Sequence, residues 1–150
     1  MKYAEIQTEL LKAAMKDNVH QWGVHENFCA TTVTNTKSIW IIPEDKFLLN
    51  MTALKNKRVN DWDVLKLLNE NDYTPAKLTG FSKDVEINRK KVNCLQIKND
   101  TTVCYVQKAL LKYFECFEIR IKSPVDIVLI YEEGELVGGV LPYRVQEDVE

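Results

Sequence analysis

The chain has 150 residues, 45% of them hydrophobic and 28% charged, with a formal net charge of −2. That balance excludes a disordered polymer and favours one domain able to bury a core without staples. It also excludes a global basic field for nucleic acid, while leaving room for a local basic strip.

The N-terminus lacks a signal-peptide core and no apolar run approaches the ~18–20 residues of a membrane span, so a cytoplasmic protein without membrane contact is expected. The spacing predicts a first helix over residues 3–15. Ile6, Leu10, Ala13 and Ala14 mark its buried side, and Lys12 and Lys16, four apart, share a face. His20, Trp22 and His25 follow in a loop or the start of a strand. Two histidines five apart with no carboxylate pair make a poor metal site. Residues 28–34, 38–43 and 47–49 read as a small β-meander with turns at Asn35-Thr36 and Glu44-Asp45. A basic loop with Lys55, Lys57 and Arg58 leads to a short helix over 62–69, capped by Asn60 or Asp61. The signal then weakens: 77–81, 85–87 and 92–97 read as strands, with Arg89-Lys90-Lys91 a solvated basic turn.

Asp100 and Thr101 are candidate N-caps, because their side-chain oxygens can accept from free N–H groups of a first turn. Val103, Val106, Leu110 and Phe114 then recur at helical spacing, which predicts a second helix with Lys108 and Lys112 on one face. The period switches to two at Phe117, giving a strand over 117–121. Ser123-Pro124 breaks it. Residues 126–131 read as a strand buried on both faces. Glu132-Glu133-Gly134-Glu135 is a turn, and 136–144 is the last strand, with Gly138-Gly139 marking a bulge. The chain thus runs helix then meander twice, over 3–49 and 101–144. Such a doubled α-β-β-β plan puts two sheets outside and two helices together on one side. The four cysteines, Cys29, Cys94, Cys104 and Cys116, have no C-x-x-C spacing and lie among apolar neighbours, so they read as buried, reduced thiols.

Several phrases near the C-terminus carry a resemblance. Ala109-Leu110-Leu111-Lys112 in a helix, the strand Phe117-Glu118-Ile119-Arg120-Ile121, Ser123-Pro124-Val125 with Val128-Leu129-Ile130, and the closing Leu141-Pro142-Tyr143-Arg144-Val145 resemble the last domain of the bacterial DNA polymerase sliding clamp (the β clamp). The likeness covers residues 101–145. Leu141 and Tyr143 stand where that family has methionines, and the family protein has three such domains to this chain's one.

The resemblance implies an α+β fold: a single DNA-clamp-like domain, helices packed on antiparallel β meanders. It implies a non-catalytic binding module with no cofactor and no metal. Lys12, Lys16, Lys108 and Lys112 on adjacent helices would meet the phosphates of double-stranded DNA, a contact indifferent to base sequence. Leu141, Pro142, Tyr143 and Arg144, with Val128 below, would take a peptide from a replication or repair protein. One domain could close a ring only as a homo-oligomer. The alternative is a protein–protein interaction or regulatory accessory protein, of phage or mobile-element type, that shares only the topology and does not bind DNA. An enzyme is not expected: Glu132-Glu133 falls in a turn, and no Ser/His/Asp order, phosphate-binding Gly loop or metal ligand set is visible.

Overall fold

Nine antiparallel strands and one α-helix form the regular structure of the described residues, which are 1–16, 22–26, 30–57, 66 and 68–144 of this computed structural model. The helix, α1 (Tyr3–Met15), buries Ile6, Gln7, Leu10 and Ala13. The strands are β1 (Gly23–Glu26), β2 (Ala30–Thr34), β3 (Ser38–Pro43), β4 (Thr74–Ile87), β5 (Lys90–Lys98), β6 (Val103–Gln107), β7 (Phe117–Ile121), β8 (Val128–Glu132) and β9 (Glu135–Val140). They make one sheet in the order β1-β2-β3-β9-β8-β7-β4-β5-β6.

Period-two alternation in the middle strands divides the interior in two. Trp40, Ile42, Val128 and Ile130 face the larger core with Ile6 and Leu10 of α1. Ile39, Leu129 and Tyr131 face a smaller core on the other side with Leu68 and Ile127. The larger core also takes Ile97 of β5 and Val106 of β6, so the sheet curls until its distant strands share one interior. The stretch after β9 closes the curl: Leu141 N–H donates to Lys37 O at 2.8 Å, and Tyr143 N–H donates to Tyr105 O on β6 at 2.7 Å.

Local chemistry explains the tight places. A Cβ on Gly138 would stand 2.1 Å from the Ile39 carbonyl oxygen, so only glycine lets β9 approach β3 this closely. Two successive positive φ angles, 51° and 66° at Asn88 and Arg89, turn β4 into β5. Buried Gln7 fastens the loop after β3 to α1: its amide donates to Lys46 O at 2.9 Å, and its oxygen accepts from Leu48 N–H at 2.6 Å.

The first helix, the strand over 38–43 and the strand over 117–121 fall where the sequence puts them. The second helix does not. Residues 103–107 are β6, followed by a 3₁₀ turn, Lys108–Leu111. Cys104 and Val106 are buried while Val103, Tyr105 and Gln107 are half-buried, an alternation of two that a 3.6-residue reading also accommodates over so short a span. Thr101 and Thr102 donate their N–H groups to Asn99 Oδ1, closing a hairpin turn where a helix cap was expected. The doubled plan therefore fails, and the architecture is mostly β. Residues 47–49 form no strand. The two weak strands between 77 and 87 are parts of one, β4. The last strand ends at Val140, and its register shift falls at Val137, between the pairs Ile130–Gly138 and Tyr131–Leu136, while Gly138 and Gly139, where the bulge was expected, pair in register with Ile130 and Leu129. Of the cysteines, Cys94 and Cys104 are buried, but Cys116 is exposed. Cys29, His20 and most of the helix expected over 62–69 lie outside the described residues.

Candidate functional site

β4 is 14 residues long, yet β7 pairs only with its Thr74, Pro75 and Ala76. From Lys77 onward β4 is held by β5 alone, through a register shift between Leu78 and Ser82 where Gly80 takes φ +84°. β5 in turn has β6 beside it only from Cys94 to Lys98. The far part of the β4–β5 hairpin therefore leaves the sheet as a two-stranded ribbon. At its root the chain leaves β6 and winds into the 3₁₀ turn Lys108–Leu111.

Ribbon and turn enclose a trough of about 690 Å³ that stays open to solvent. Leu78, Val92, Leu95, Ala109, Leu111 and Phe117 give it an apolar lining, and Asn93 and Gln107 add two amides. Three lysines, Lys91, Lys108 and Lys112, complete it, and no carboxylate lines it. A smaller notch of about 420 Å³ between β4 and β7 shares Leu78 and Phe117. Lys112 Nζ sits 4.9 Å from the centre of the Tyr113 ring. Neither Lys91 nor Lys108 makes an ion pair among the described residues. Glu86 lies across the ladder from Lys91, outside the trough lining, and Asp84 accepts from Asn93 Nδ2 at 2.9 Å.

The structure divides the four lysines assigned to DNA. Lys108 and Lys112 stand on the trough, beside Lys91 instead of a second helix. Lys12 and Lys16 sit near the far end of α1. Lys2 N–H donates to Tyr113 O, so the start of α1 lies beside that turn, and Lys12 is about 15 Å further along the axis at 1.5 Å per residue. Lys12 pairs with Glu9 at 3.5 Å.

The four residues assigned to a peptide pocket, Leu141, Pro142, Tyr143 and Arg144, do not line the trough. Leu141 and Arg144 are exposed, Pro142 and Tyr143 half-buried, and the backbone of this stretch bridges β3 and β6. Val128 is fully buried in the larger core. Lys57 is buried; Arg58 and the Lys55 side chain lie outside the described residues.

Several other ionisable groups act in the framework. Glu132 accepts from the Met1 amine at 2.8 Å and from Glu115 N–H at 2.9 Å. Tyr131 donates its hydroxyl to Glu70 while the Arg120 guanidinium stacks on its ring at 4.1 Å. Burial, then the Glu70 bond and charge, push the Tyr131 phenol up to about 12, with Arg120 opposing. Tyr73 donates to Ile127 O at 2.7 Å, and burial followed by the Asp126 charge raises it to about 12. Among the described residues no group of three His, Cys, Asp or Glu side chains could hold a metal ion, and no helix is long and apolar enough to cross a membrane.

Sequence reasoning missed Leu78, Lys91, Leu95 and Phe117 as site residues, because it spread them over separate strands and a solvated turn. The available signal was Leu78 and Phe81, two large apolar residues of β4 that are exposed, at 40% and 53%. No protein-family model, curated protein or solved structure matches the chain.

Proposed function

We propose that this chain is a binding module that captures part of another protein at the trough. The supporting observation is the lining itself: an open apolar surface bordered by three lysines, with no carboxylate among them. Exposed apolar surface rimmed by polar groups is the usual mark of a protein-binding site. This is the accessory-protein reading of the sequence. The stretch that resembles a sliding clamp supplies Lys108, Leu111, Lys112 and Phe117 to the trough, whereas residues 141–144 contribute none of it. The capture site argued here is thus distinct from the one the resemblance implies.

A photo-crosslinking residue placed at Val92, and separately at exposed Met15 as a control, tests the module. One identified protein should crosslink from position 92 and vanish when Lys91, Lys108 and Lys112 are changed together to Glu. Equal yields from both positions would sink the proposal.

One observation favours DNA as a second reading. The β4–β5 turn carries Arg89, Lys90 and Lys91 outside the body of the sheet, with Lys108 and Lys112 across the trough. Three to five such phosphate contacts give a slope of about −3 to −4.5 in log K against log salt. Duplex retention that ignores salt, or that survives the triple change, removes this reading.

A further inference from the structure

We infer that the trough is a docking lane for an extended, acidic segment of a partner protein, which adds as a short strand along the open edge of β5 at residues 90–93. The inference rests on the binding-module reading and supplies the chemistry and geometry of its occupant.

The lane comes from the strand pairing. β6 stops opposite Cys94, so on that side residues 90–93 have no ladder partner among the described residues, while β4 holds their other edge. Backbone N–H and C=O groups seek partners wherever water is excluded. A peptide continuing the line of β6 supplies them, which is recognition by strand addition. Side chains on one face of that peptide then fall at every second residue. They meet Leu95 from the ribbon, Leu111 from the 3₁₀ turn and Phe117 from β7.

The charge of the occupant comes from the rim. Lys91, Lys108 and Lys112 approach one groove from two elements, and no carboxylate lines it to balance them. A basic segment is repelled, and a neutral one leaves Lys108 and Lys112 with no counter-charge in the lining, while Lys91 has only Glu86, across the ladder and outside it. An acidic segment with Leu, Ile or Phe at alternate positions satisfies floor and rim together. The open shape also suits a chain passing through more than a small molecule, whose sites enclose most of the ligand.

The test is selection of a random displayed peptide library on the full chain and, in parallel, on the variant K91E/K108E/K112E. All three lysines are exposed, so the variant is expected to fold and to melt with the parent. The parent should select sequences in which Asp or Glu alternates with Leu, Ile or Phe. The best of these, made synthetically, should lose about tenfold or more in affinity for the variant. A copy with Lys in place of its acids should prefer the variant. In the complex, backbone amides within residues 90–93 should become protected from hydrogen exchange.

No selected peptide, selection without acidic enrichment, undiminished binding to the variant, or unchanged exchange at 90–93 would each overturn the lane. A short DNA duplex that displaces the peptide at physiological salt would overturn it in favour of nucleic acid. If the lane fails while position 92 still crosslinks to one protein, the binding module stands with a different occupant; if both fail, neither stands.

Discussion

β8 and the β4–β5 ribbon belong to one sheet and could hardly be built more differently. Val128, Leu129, Ile130 and Tyr131 are all buried, because β8 has a strand on each edge and a core on each face. β4 beyond Ala76 has one strand partner, and most of its residues are exposed. Stability should therefore reside in the body, whereas the ribbon is free to carry recognition. Trp40 offers the largest test. It is 1% exposed, stacks on Trp22 with ring centres 5.5 Å apart, and meets Tyr113 edge-on at 5.5 Å. Trp40→Ala should cost about 3–5 kcal/mol in denaturant unfolding. Phe81→Ser on the ribbon should change stability by about 0.5 kcal/mol at most. Similar costs at the two positions would erase the contrast.

Gly138→Ala probes the body through its backbone. The new methyl would meet the Ile39 carbonyl oxygen, a backbone atom that moves only if β3 and β9 separate. Overpacking of this kind costs about 1–3 kcal/mol, and the denaturation midpoint should fall accordingly. A midpoint equal to the parent's would mean that the two strands have slack, against the tight pairing described.

The smaller core offers a subtler handle. Tyr131 and Tyr73 both have phenols held near 12, well above the ordinary value of 10. The folded state keeps these protons while the unfolded chain begins to release them, so stability is full below about pH 10 and falls as pH rises toward 12. Tyr131→Phe removes one of the two groups along with its bond to Glu70. The variant should be less stable at neutral pH by about 1 kcal/mol, the net worth of a hydrogen bond. It should also lose less between pH 10 and 12. Parallel stability curves for parent and variant would show that Tyr131 takes no part in the alkaline loss.

What the sequence disclosed depended on how many residues each pattern had to speak for it. α1 had thirteen residues with an unbroken apolar period, and the strand over 38–43 was bounded by Asn35-Thr36 and Pro43. Both were legible. β6 had only five residues, and Val103, Val106 and Leu110 fit a helical period by coincidence. The decisive information lay in Asn99, whose side chain closes the β5–β6 turn, and in the long-range pairing of Ile97 with Cys104. The trough was illegible for a related reason. Its lining comes from β4, β5, the 3₁₀ turn and β7, which no local period connects. Lys108 and Lys112 were picked out, but as members of a helix that does not form.

The smallest effect concerns the open edge of β4, which any other copy of the chain could in principle pair with. A two-fold antiparallel match centred on Val85 sets Asp84 opposite Glu86 of the second copy, and one centred on Asp84 sets two aspartates face to face. Like charges directly opposite destabilise a strand pair by about 0.2–1 kcal/mol, one means by which edge strands avoid self-association. The double change Asp84→Asn with Glu86→Gln should therefore raise the concentration dependence of solution mass, measured by light scattering, above that of the parent. It also weakens the grip on Asn93, so the ribbon fold should be checked by amide shifts in residues 82–95. If the neutralised edge associates no more than the parent while the ribbon stays folded, the carboxylates are not its guard. The bulge at residues 78–82 would then be the feature that keeps a second strand away.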